Sequence, residues 1–300
     1  TAEKVAAVLG ISATDVFVCS TGLIGEQLPM DKILPGVEAA SAALSTDGGP
    51  AAATAIMTTD SVSKSALFIG TDADGQEFTI GGIAKGAGML APGLATMLVV
   101  LTTDADVEAE MLDVVLRDAT RVTFDRADSD GCMSTNDTVV LLASGASGAV
   151  PSAEAFGAGL TQVCAELARK LIGDAEGASH DIAIRTFNAA SERDAETVSR
   201  SVARSNLFKA AIFGKDPNWG RVLSAVGTTD AVFEPDQLNV AINGIQICRN
   251  GSIGDDRNLV DLEPREVLVE IDLQSGAAEA TIWTNDLTHD YVHENSAYSS

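Results

Sequence analysis

One stretch, Gly81–Asp104, constrains the fold most strongly, because it joins a glycine-rich half to an apolar half. The second half, from Thr96 onwards, is an apolar and β-branched run typical of a buried strand. Pro92 and Gly93 stand between the two halves and prevent a helix from crossing the junction. Ala95 and Thr96 are therefore predicted to lie where a loop enters a strand. This placement suits a hydroxyl nucleophile that the strand holds rigidly.

The inventory of bases favours an unusual way of activating such a hydroxyl. The chain has three histidines, His180, His289 and His293, and we expect each to be a surface residue or a satisfied structural one. A threonine at a chain N-terminus needs none of them, because its own α-amine, with a pKa of about 8, can take the hydroxyl proton. Thr96 would gain that amine if its hydroxyl attacked the Ala95 carbonyl carbon and water hydrolysed the resulting ester. We therefore interpret Ala95-Thr96 as a site of self-cleavage.

Composition limits the classes of function. A chain of 300 residues with 46% hydrophobic and 21% charged residues is long enough for a packed core. Its net charge of −24 argues against nucleic-acid and membrane partners, although an acidic surface could attract a cationic substrate. No apolar run reaches the roughly 18 residues of a membrane span. The four cysteines, Cys19, Cys132, Cys164 and Cys248, show no CxxC spacing, which predicts free thiols and a cytoplasmic location.

Periodicity predicts an α+β fold with antiparallel pairing instead of a repeating βα pattern. The main predicted helices are 30–44, 51–57, 105–122, 153–172 and 191–203. The predicted isolated strands are 15–20, 138–144 and 181–187, besides the run that begins at Thr96. Three strand pairs are predicted to form hairpins, namely 66–70 with 77–80, the two halves of 238–248 around Asn243-Gly244, and 266–273 with 277–283.

Several motifs leave alternatives open. Gly86–Ala91 matches the dinucleotide pattern GxGxxA only formally, because Pro92-Gly93 prevents the helix that the pattern requires. Lys85 is either a solvated lysine or a ligand for a substrate carboxylate. Thr21-Gly22, at the end of the predicted strand 15–20, is either a plain turn or part of an oxyanion hole. Asp128 and Asp130 resemble part of a calcium loop, but the full EF-hand pattern fails.

Seven segments, in order along nearly the whole chain, carry a resemblance to a known family. They are CSTGLIGEQLPMDKI (19–33), AIMTTD (55–60), GGIAKGAGMLAPGLATMLVVLTTDA (81–105), STNDTVVLLASGAS (134–147), DAEG (174–177), DPNWGRVL (216–223) and ENSAYSS (294–300). On these segments the chain resembles the ornithine acetyltransferases, arginine-biosynthesis enzymes that are also called glutamate N-acetyltransferases. The resemblance implies an N-terminal-nucleophile-like fold of layered sheets flanked by helices.

The resemblance also implies site residues and a division of the chain. Cleavage between Ala95 and Thr96 would leave residues 1–95 as the C-terminal part of an α chain and residues 96–300 as a β chain, in one intertwined catalytic unit. Thr96 would be the nucleophile, and Thr21 and Gly22 would form the oxyanion hole. The substrate-binding positions implied by the resemblance are Thr58, Lys85, Thr96, Glu176, Asn295 and Ser300.

The implied reaction is ping-pong transfer of an acetyl group from N2-acetyl-L-ornithine to L-glutamate through acetyl-Thr96. No metal or resident cofactor is implied, although some members also use acetyl-CoA as an acetyl donor. The implied assembly is an α2β2 heterotetramer. Two departures are visible: the family's α chain begins further upstream, and Ser179-His180 stands where the family often has Thr-Lys. The alternatives are a self-processing aminopeptidase or amidase of similar architecture, and a non-catalytic acidic module that binds cations through Asp128 and Asp130.

Overall fold

The structure is a computed structural model that describes residues 1–91, 97–134 and 136–297. Helices and strands alternate irregularly, as expected of an α+β fold. The helices are α1 (Ala2–Leu9), α2 (Met30–Ala42), α3 (Gly49–Ala55), α4 (Ala109–Val122), α5 (Ala153–Gly173), α6 (Glu192–Ala203), α7 (Asn206–Phe213), α8 (Trp219–Val226) and α9 (His289–Ala297). The strands are β1 (Lys64–Thr71), β2 (Glu77–Lys85), β3 (Leu98–Thr103), β4 (Thr138–Ala143), β5 (Asp181–Ala189), β6 (Asn239–Ile242), β7 (Ile245–Arg249), β8 (Ser252–Ile253), β9 (Glu266–Asp272) and β10 (Ala278–Asn285).

The first sheet has the strand order β1–β2–β3–β4. β1 and β2 form the predicted antiparallel hairpin, and β3 pairs antiparallel with β2 and parallel with β4. The hairpin turn closes because the Asp72 carboxylate accepts hydrogen bonds from the backbone N–H groups of Asp74 and Gln76. Gly75 supplies the left-handed residue of the turn, with φ 79°.

Helices α4 and α5 pack on one face of this sheet. Phe78 and Ile80 of β2 and Leu101 of β3 are almost fully buried beneath them, and each such side chain stabilises the fold by about 1.5–3 kcal/mol. At Gly82 an added Cβ would lie 2.9 Å from the Leu167 side chain, so glycine lets α5 approach β2 closely. On the opposite face large apolar side chains stay exposed, as in Leu67 at 59% and Leu142 at 52%.

The second sheet has the order β10–β5–β9–β6–β7–β8, and it corrects one sequence prediction. The strands at 266–273 and 277–283 were predicted to pair as a hairpin, but β5 lies between them, parallel to β9 and antiparallel to β10. The connection crosses the end of β5, where the N–H groups of Ser275 and Gly276 donate to the Asn188 carbonyl. A Cβ at Gly276 would lie 2.4 Å from the Ala189 carbonyl oxygen, so only glycine fits this crossing.

The predicted hairpin around Asn243-Gly244 is confirmed by β6 and β7. Asn243 and Gly244 both have positive φ, 48° and 81°, as a type I′ turn requires. Helices α6, α7 and α8 cover this sheet and complete a second apolar core that includes Val198, Phe208 and Val222. The loop after α4 contacts this sheet where the Asp128 N–H donates to the Trp283 carbonyl of β10, at 2.8 Å.

The N-terminal part departs from the predicted pattern. Residues 15–20 were predicted to form a strand, but they form no ladder with any described strand and are extended chain after a short 3₁₀ turn at Ala13–Asp15. An alternating pattern becomes a strand only where a partner supplies hydrogen bonds. Phe17 and Leu23, at 64% and 56%, are among the large apolar side chains exposed in this part. Helix α2 begins at Met30, as predicted, and contains Pro35.

Across the described ranges, with their gaps at 92–96, 135 and 298–300, no helix is both long and apolar enough to span a bilayer.

Candidate active site

A cavity of about 350 Å³ collects the site residues that the sequence predicts. It lies among the loop after residue 20, the end of β2, the glycine-rich loop, the loop before β4, the loop after α5, and α9. The predicted site residues that line it are Thr21, Gly22, Thr58, Lys85, Glu176 and Asn295. The remaining three, Ala95, Thr96 and Ser300, lie outside the described residues. Residues far apart in sequence therefore meet at one cavity, as a composite active site requires.

Lys85 is the last residue of β2, and its side chain is only 1% exposed. Its Nζ donates a hydrogen bond of 2.7 Å to Thr58 Oγ1. Burial lowers the pKa of Lys85, and the charge of Lys64 lowers it further, whereas the carboxylates of Asp60 and Glu176 oppose the shift. Lys85 is thus a buried lysine at the cavity wall, which decides against the alternative of a solvated surface lysine.

A buried chain of alternating charges stands behind Lys85. Asp60 Oδ2 lies 3.8 Å from Lys85 Nζ, and Asp60 Oδ1 lies 2.6 Å from Lys64 Nζ. Lys64 Nζ in turn lies 2.6 Å from Asp174 Oδ2. The side chains of Lys64 and Asp60 are completely buried, so each charge depends on its partners for compensation. Sequence reasoning missed Asp60, although it closes the motif AIMTTD.

Glu176 approaches the cavity from the loop that follows α5. Its N–H donates to the Ala87 carbonyl at 2.8 Å, which ties this loop to the glycine-rich segment. A Cβ at Gly88 would lie 2.7 Å from Glu176 Oε2, so the glycine makes room for the carboxylate. No helix begins within residues 86–91. The glycines of this loop therefore serve close packing, and the dinucleotide-binding interpretation has no structural support there.

The first described residue after the predicted nucleophile is fixed by an aspartate. The Met97 N–H donates to Asp137 Oδ1 at 2.9 Å, and the Met97 carbonyl accepts from the Thr138 N–H at 2.9 Å. Burial raises the pKa of Asp137 to about 6, and the bond from Met97 offsets only part of this effect. Asp137 follows the cavity residue Asn136 in the chain. Sequence reasoning missed it, although it stands within STNDTVVLLASGAS.

Asp128 and Asp130 have structural partners instead of an open cation site. Asp128 Oδ2 accepts hydrogen bonds from Arg200 Nη1 at 3.0 Å and from Arg204 Nε at 2.8 Å. Asp130 Oδ2 accepts the N–H of Met89, a non-glycine residue with φ 54°. Burial raises the pKa of Asp130. Within the described part of the chain, no group of three or more His, Cys, Asp or Glu residues could hold a metal ion.

The three histidines are not among the residues that line the cavity. His180 is buried, with Nδ1 2.8 Å from Asp286 Oδ2 and Nε2 3.1 Å from the Leu262 carbonyl oxygen. Ser179 also binds Asp286 through its N–H, so the Ser179-His180 pair joins the start of β5 to the end of β10. The His289 ring makes a perpendicular, edge-to-face contact with the Phe213 ring. None of the described residues that line the cavity is a histidine.

Taken together, the two helix-flanked sheets and a cavity lined by ammonium, carboxylate and hydroxyl groups define an α+β enzyme for small polar substrates. The family model described as the ArgJ family matches residues 1–300. This chain belongs to the ArgJ family. That membership confirms the resemblance drawn from the sequence motifs.

Individual relatives agree with the family match. The arginine biosynthesis bifunctional protein ArgJ of Streptomyces coelicolor is 65% identical over 300 residues, covering 100% of this chain and 77% of the relative. The ArgJ proteins of Thermobifida fusca and Mycobacterium leprae are 63% and 50% identical, with 77% and 74% of their lengths covered. The crystal structure of ArgJ from Bacillus halodurans matches with a TM-score of 0.63 and 31% identity, over 66% of this chain and 97% of the solved one. The predicted fold class is thereby confirmed.

Proposed function

We propose that this chain transfers the acetyl group of N2-acetyl-L-ornithine to L-glutamate in arginine biosynthesis, through an acetyl ester on Thr96. The observation that carries the proposal is the meeting of Thr21, Gly22, Lys85 and Glu176 at one cavity in a member of the ArgJ family. These residues offer hydrogen-bond donors for an oxyanion, an ammonium for a substrate carboxylate, and a carboxylate for a substrate amine.

Self-cleavage prepares the nucleophile in this proposal. The Thr96 hydroxyl attacks the Ala95 carbonyl carbon, the peptide C–N bond breaks, and the acyl group moves from nitrogen to oxygen. Water then hydrolyses the ester, which leaves a carboxylate on Ala95 and a free α-amine on Thr96. Residues 1–95 would form the C-terminal part of the α chain, and residues 96–300 would form the β chain.

Acetyl transfer then proceeds in two half-reactions. The Thr96 amine accepts the hydroxyl proton while Oγ attacks the acetyl carbonyl of acetylornithine, and Thr21 and Gly22 donate to the developing oxyanion. The C–N bond breaks, the proton passes to the leaving amine, and ornithine departs. The α-amine of glutamate attacks the acetyl ester, the C–O bond breaks, and the Thr96 hydroxyl is restored. Thr58, Lys85, Glu176, Asn295 and Ser300 would hold the substrates.

The first test asks whether the chain cuts itself. Denaturing gel electrophoresis and mass spectrometry of the purified protein are expected to show two fragments that meet at Ala95-Thr96. The Thr96→Ala variant should remain a single chain. A wild-type chain that stays uncut and behaves identically to Thr96→Ala would contradict the proposal. Native mass spectrometry of the cut protein tests the proposed α2β2 assembly.

A second test separates transfer from hydrolysis. We expect ornithine release from acetylornithine to depend on L-glutamate and to yield N-acetylglutamate. Release at the same rate without glutamate would instead support the aminopeptidase or amidase alternative, in which water is the acceptor. Incubation of acetyl-CoA with glutamate tests the second acetyl donor. We place these reactions in the cytoplasm, in keeping with free cysteines at positions 19, 132, 164 and 248.

A further inference from the structure

The Asp60 carboxylate lies behind the cavity wall, where it contacts the two segments that carry the cavity residues Thr58 and Lys85. Its Oδ1 accepts hydrogen bonds from Lys64 Nζ and from the Gly86 N–H, both at 2.6 Å. Its Oδ2 accepts the Thr58 N–H at 3.1 Å and lies 3.8 Å from Lys85 Nζ. One fully buried carboxylate thus fixes the backbone of Thr58 and the peptide that follows Lys85.

This arrangement orients the two cavity side chains relative to each other. Lys85 Nζ donates to Thr58 Oγ1 at 2.7 Å, which closes a ring of contacts through Asp60. The two residues lie 27 positions apart in sequence: Thr58 follows α3, and Lys85 ends β2. Without Asp60, the ring would keep the Lys85–Thr58 hydrogen bond but would lose the hydrogen bonds that fix the Thr58 and Gly86 N–H groups. Small displacements at such positions are costly for a bound substrate.

Asp60 also controls the charge of Lys85. Burial alone would raise the pKa of Asp60, but the hydrogen bonds from Gly86, Lys64 and Thr58 hold it below its ordinary value, so the carboxylate is ionised. Burial lowers the pKa of Lys85, and the Asp60 charge is the largest influence that opposes this shift. Asp60 therefore favours the ammonium form of Lys85.

Lys64 and Asp174, at the end of the charge chain away from Lys85, anchor Asp60. Lys64 is paired with Asp60 and with Asp174, and Asp174 Oδ2 also accepts the Ser61 N–H at 3.0 Å. Two ammonium groups and two carboxylates therefore alternate from Lys85 to Asp174. We infer that Asp60 is a positioning residue, which holds Thr58 and Lys85 together and keeps Lys85 cationic so that it can receive a substrate carboxylate. This inference rests on the proposed function, which places Lys85 at the substrate.

The test is the pH profile of kcat/KM for acetylornithine in Asp60→Asn, a variant of nearly the same shape without the charge. The basic limb of this profile is the fall of kcat/KM at high pH, which we assign to loss of the Lys85 proton. An opposite charge within 4–6 Å shifts a pKa by about 1–3 units, so this limb should move to lower pH by about that amount. KM at neutral pH should rise by about tenfold or more, with a smaller change in kcat. Substrate ionisations are the same for every variant and cancel in the comparison.

Two further variants make the result specific. Asp174→Asn removes the other partner of Lys64 without touching Thr58, Gly86 or Lys85, so it should lower thermal stability and leave the basic limb in place. Lys85→Gln should remove the basic limb, which assigns the limb to this lysine. If Asp60→Asn fails to fold because Lys64 is left buried beside a neutral group, the double variant Asp60→Asn/Lys64→Met removes both charges. Its basic limb should still move down, because Asp60 influences Lys85 more strongly than Lys64 does.

The outcomes are distinguishable. An unshifted basic limb and an unchanged KM in Asp60→Asn, or an unshifted limb in the double variant, would overturn the inference and leave the proposed function standing. A wild-type enzyme without transfer activity, or a Lys85→Gln variant with wild-type kinetics, would overturn the proposed function itself.

Discussion

Replacing Asp137 with asparagine is expected to stabilise the protein at neutral pH. The carboxylate accepts the Met97 N–H at 2.9 Å, and burial raises the pKa of Asp137 from 3.8 to about 6. The ionised form that dominates at pH 7 is therefore the form that the fold disfavours. An asparagine oxygen can accept the same hydrogen bond without carrying a charge, so Asp137→Asn removes this penalty and keeps the contact.

The sign and size of this change in the free energy of unfolding follow from proton binding at Asp137. Between about pH 4 and pH 6 the native state binds more protons at Asp137 than the unfolded state does, so the free energy of unfolding falls as pH rises through this range. A shift of about 2 units corresponds to at most about 3 kcal/mol. About 1.4 kcal/mol of this should be lost between pH 5 and pH 7.5, a range that stays above the isoelectric point of about 4.2.

The assay is urea unfolding at pH 5 and pH 7.5, followed by circular dichroism. Both proteins carry Thr96→Ala, so that each is one uncut chain. Asp137→Asn should exceed its parent in stability at pH 7.5, by a margin that shrinks at pH 5. Asp72→Asn is the control. Backbone N–H groups, chiefly that of Val150, hold the pKa of Asp72 below its ordinary value, so Asp72 is ionised at both pH values. The effect of Asp72→Asn on stability should therefore be the same at pH 5 and pH 7.5. Equal pH dependence with and without Asp137 would refute the reasoning.

Three further predictions follow from close approaches and net charge. In Gly177→Ala the new Cβ would lie 2.1 Å from the Tyr291 backbone nitrogen, and residue 177 would have to keep its φ of 62°. Helix α9 and Asn295 should therefore be displaced, and kcat/KM should fall on the order of 100-fold. Wild-type kinetics would contradict this prediction. Gly88→Ala should push Glu176 aside and raise KM about tenfold or more, with little change in melting temperature. The net charge of −24 predicts a melting temperature that rises between 0.05 and 1 M NaCl in differential scanning calorimetry, whereas a flat response would show that self-repulsion is negligible.

Local patterns predicted the elements whose causes are themselves local. The Asp72 turn and the left-handed Asn243-Gly244 pair specify two hairpins from a few adjacent residues, and both form where expected. The long helix α5 follows from the 3.6-residue spacing of side chains such as Leu160 and Leu167, which are fully buried. The family and the residues that line the cavity were likewise readable, because long motifs carry them in order.

Strand pairing was decided by the tertiary structure. β9 and β10 follow each other in the chain, yet β5 inserts between them, because Gly276 lets the connection cross the end of β5. Residues 15–20 alternate like a strand but form no ladder with a described partner. In both cases the preference of a segment is local, whereas its hydrogen-bond partner comes from a distant part of the chain.

The same distinction applies to the candidate site. The sequence by itself determined the residue types of the cavity wall, including Lys85 and Glu176, and predicted the cleavage position Ala95-Thr96. Only the tertiary structure revealed Asp60 and Asp137, since their importance comes from burial and from partners such as Gly86 and Met97 that the fold brings within hydrogen-bond distance. Charge and hydrogen-bonding capacity belong to the side chain and can be read from sequence, but desolvation and distance arise only when the chain is folded.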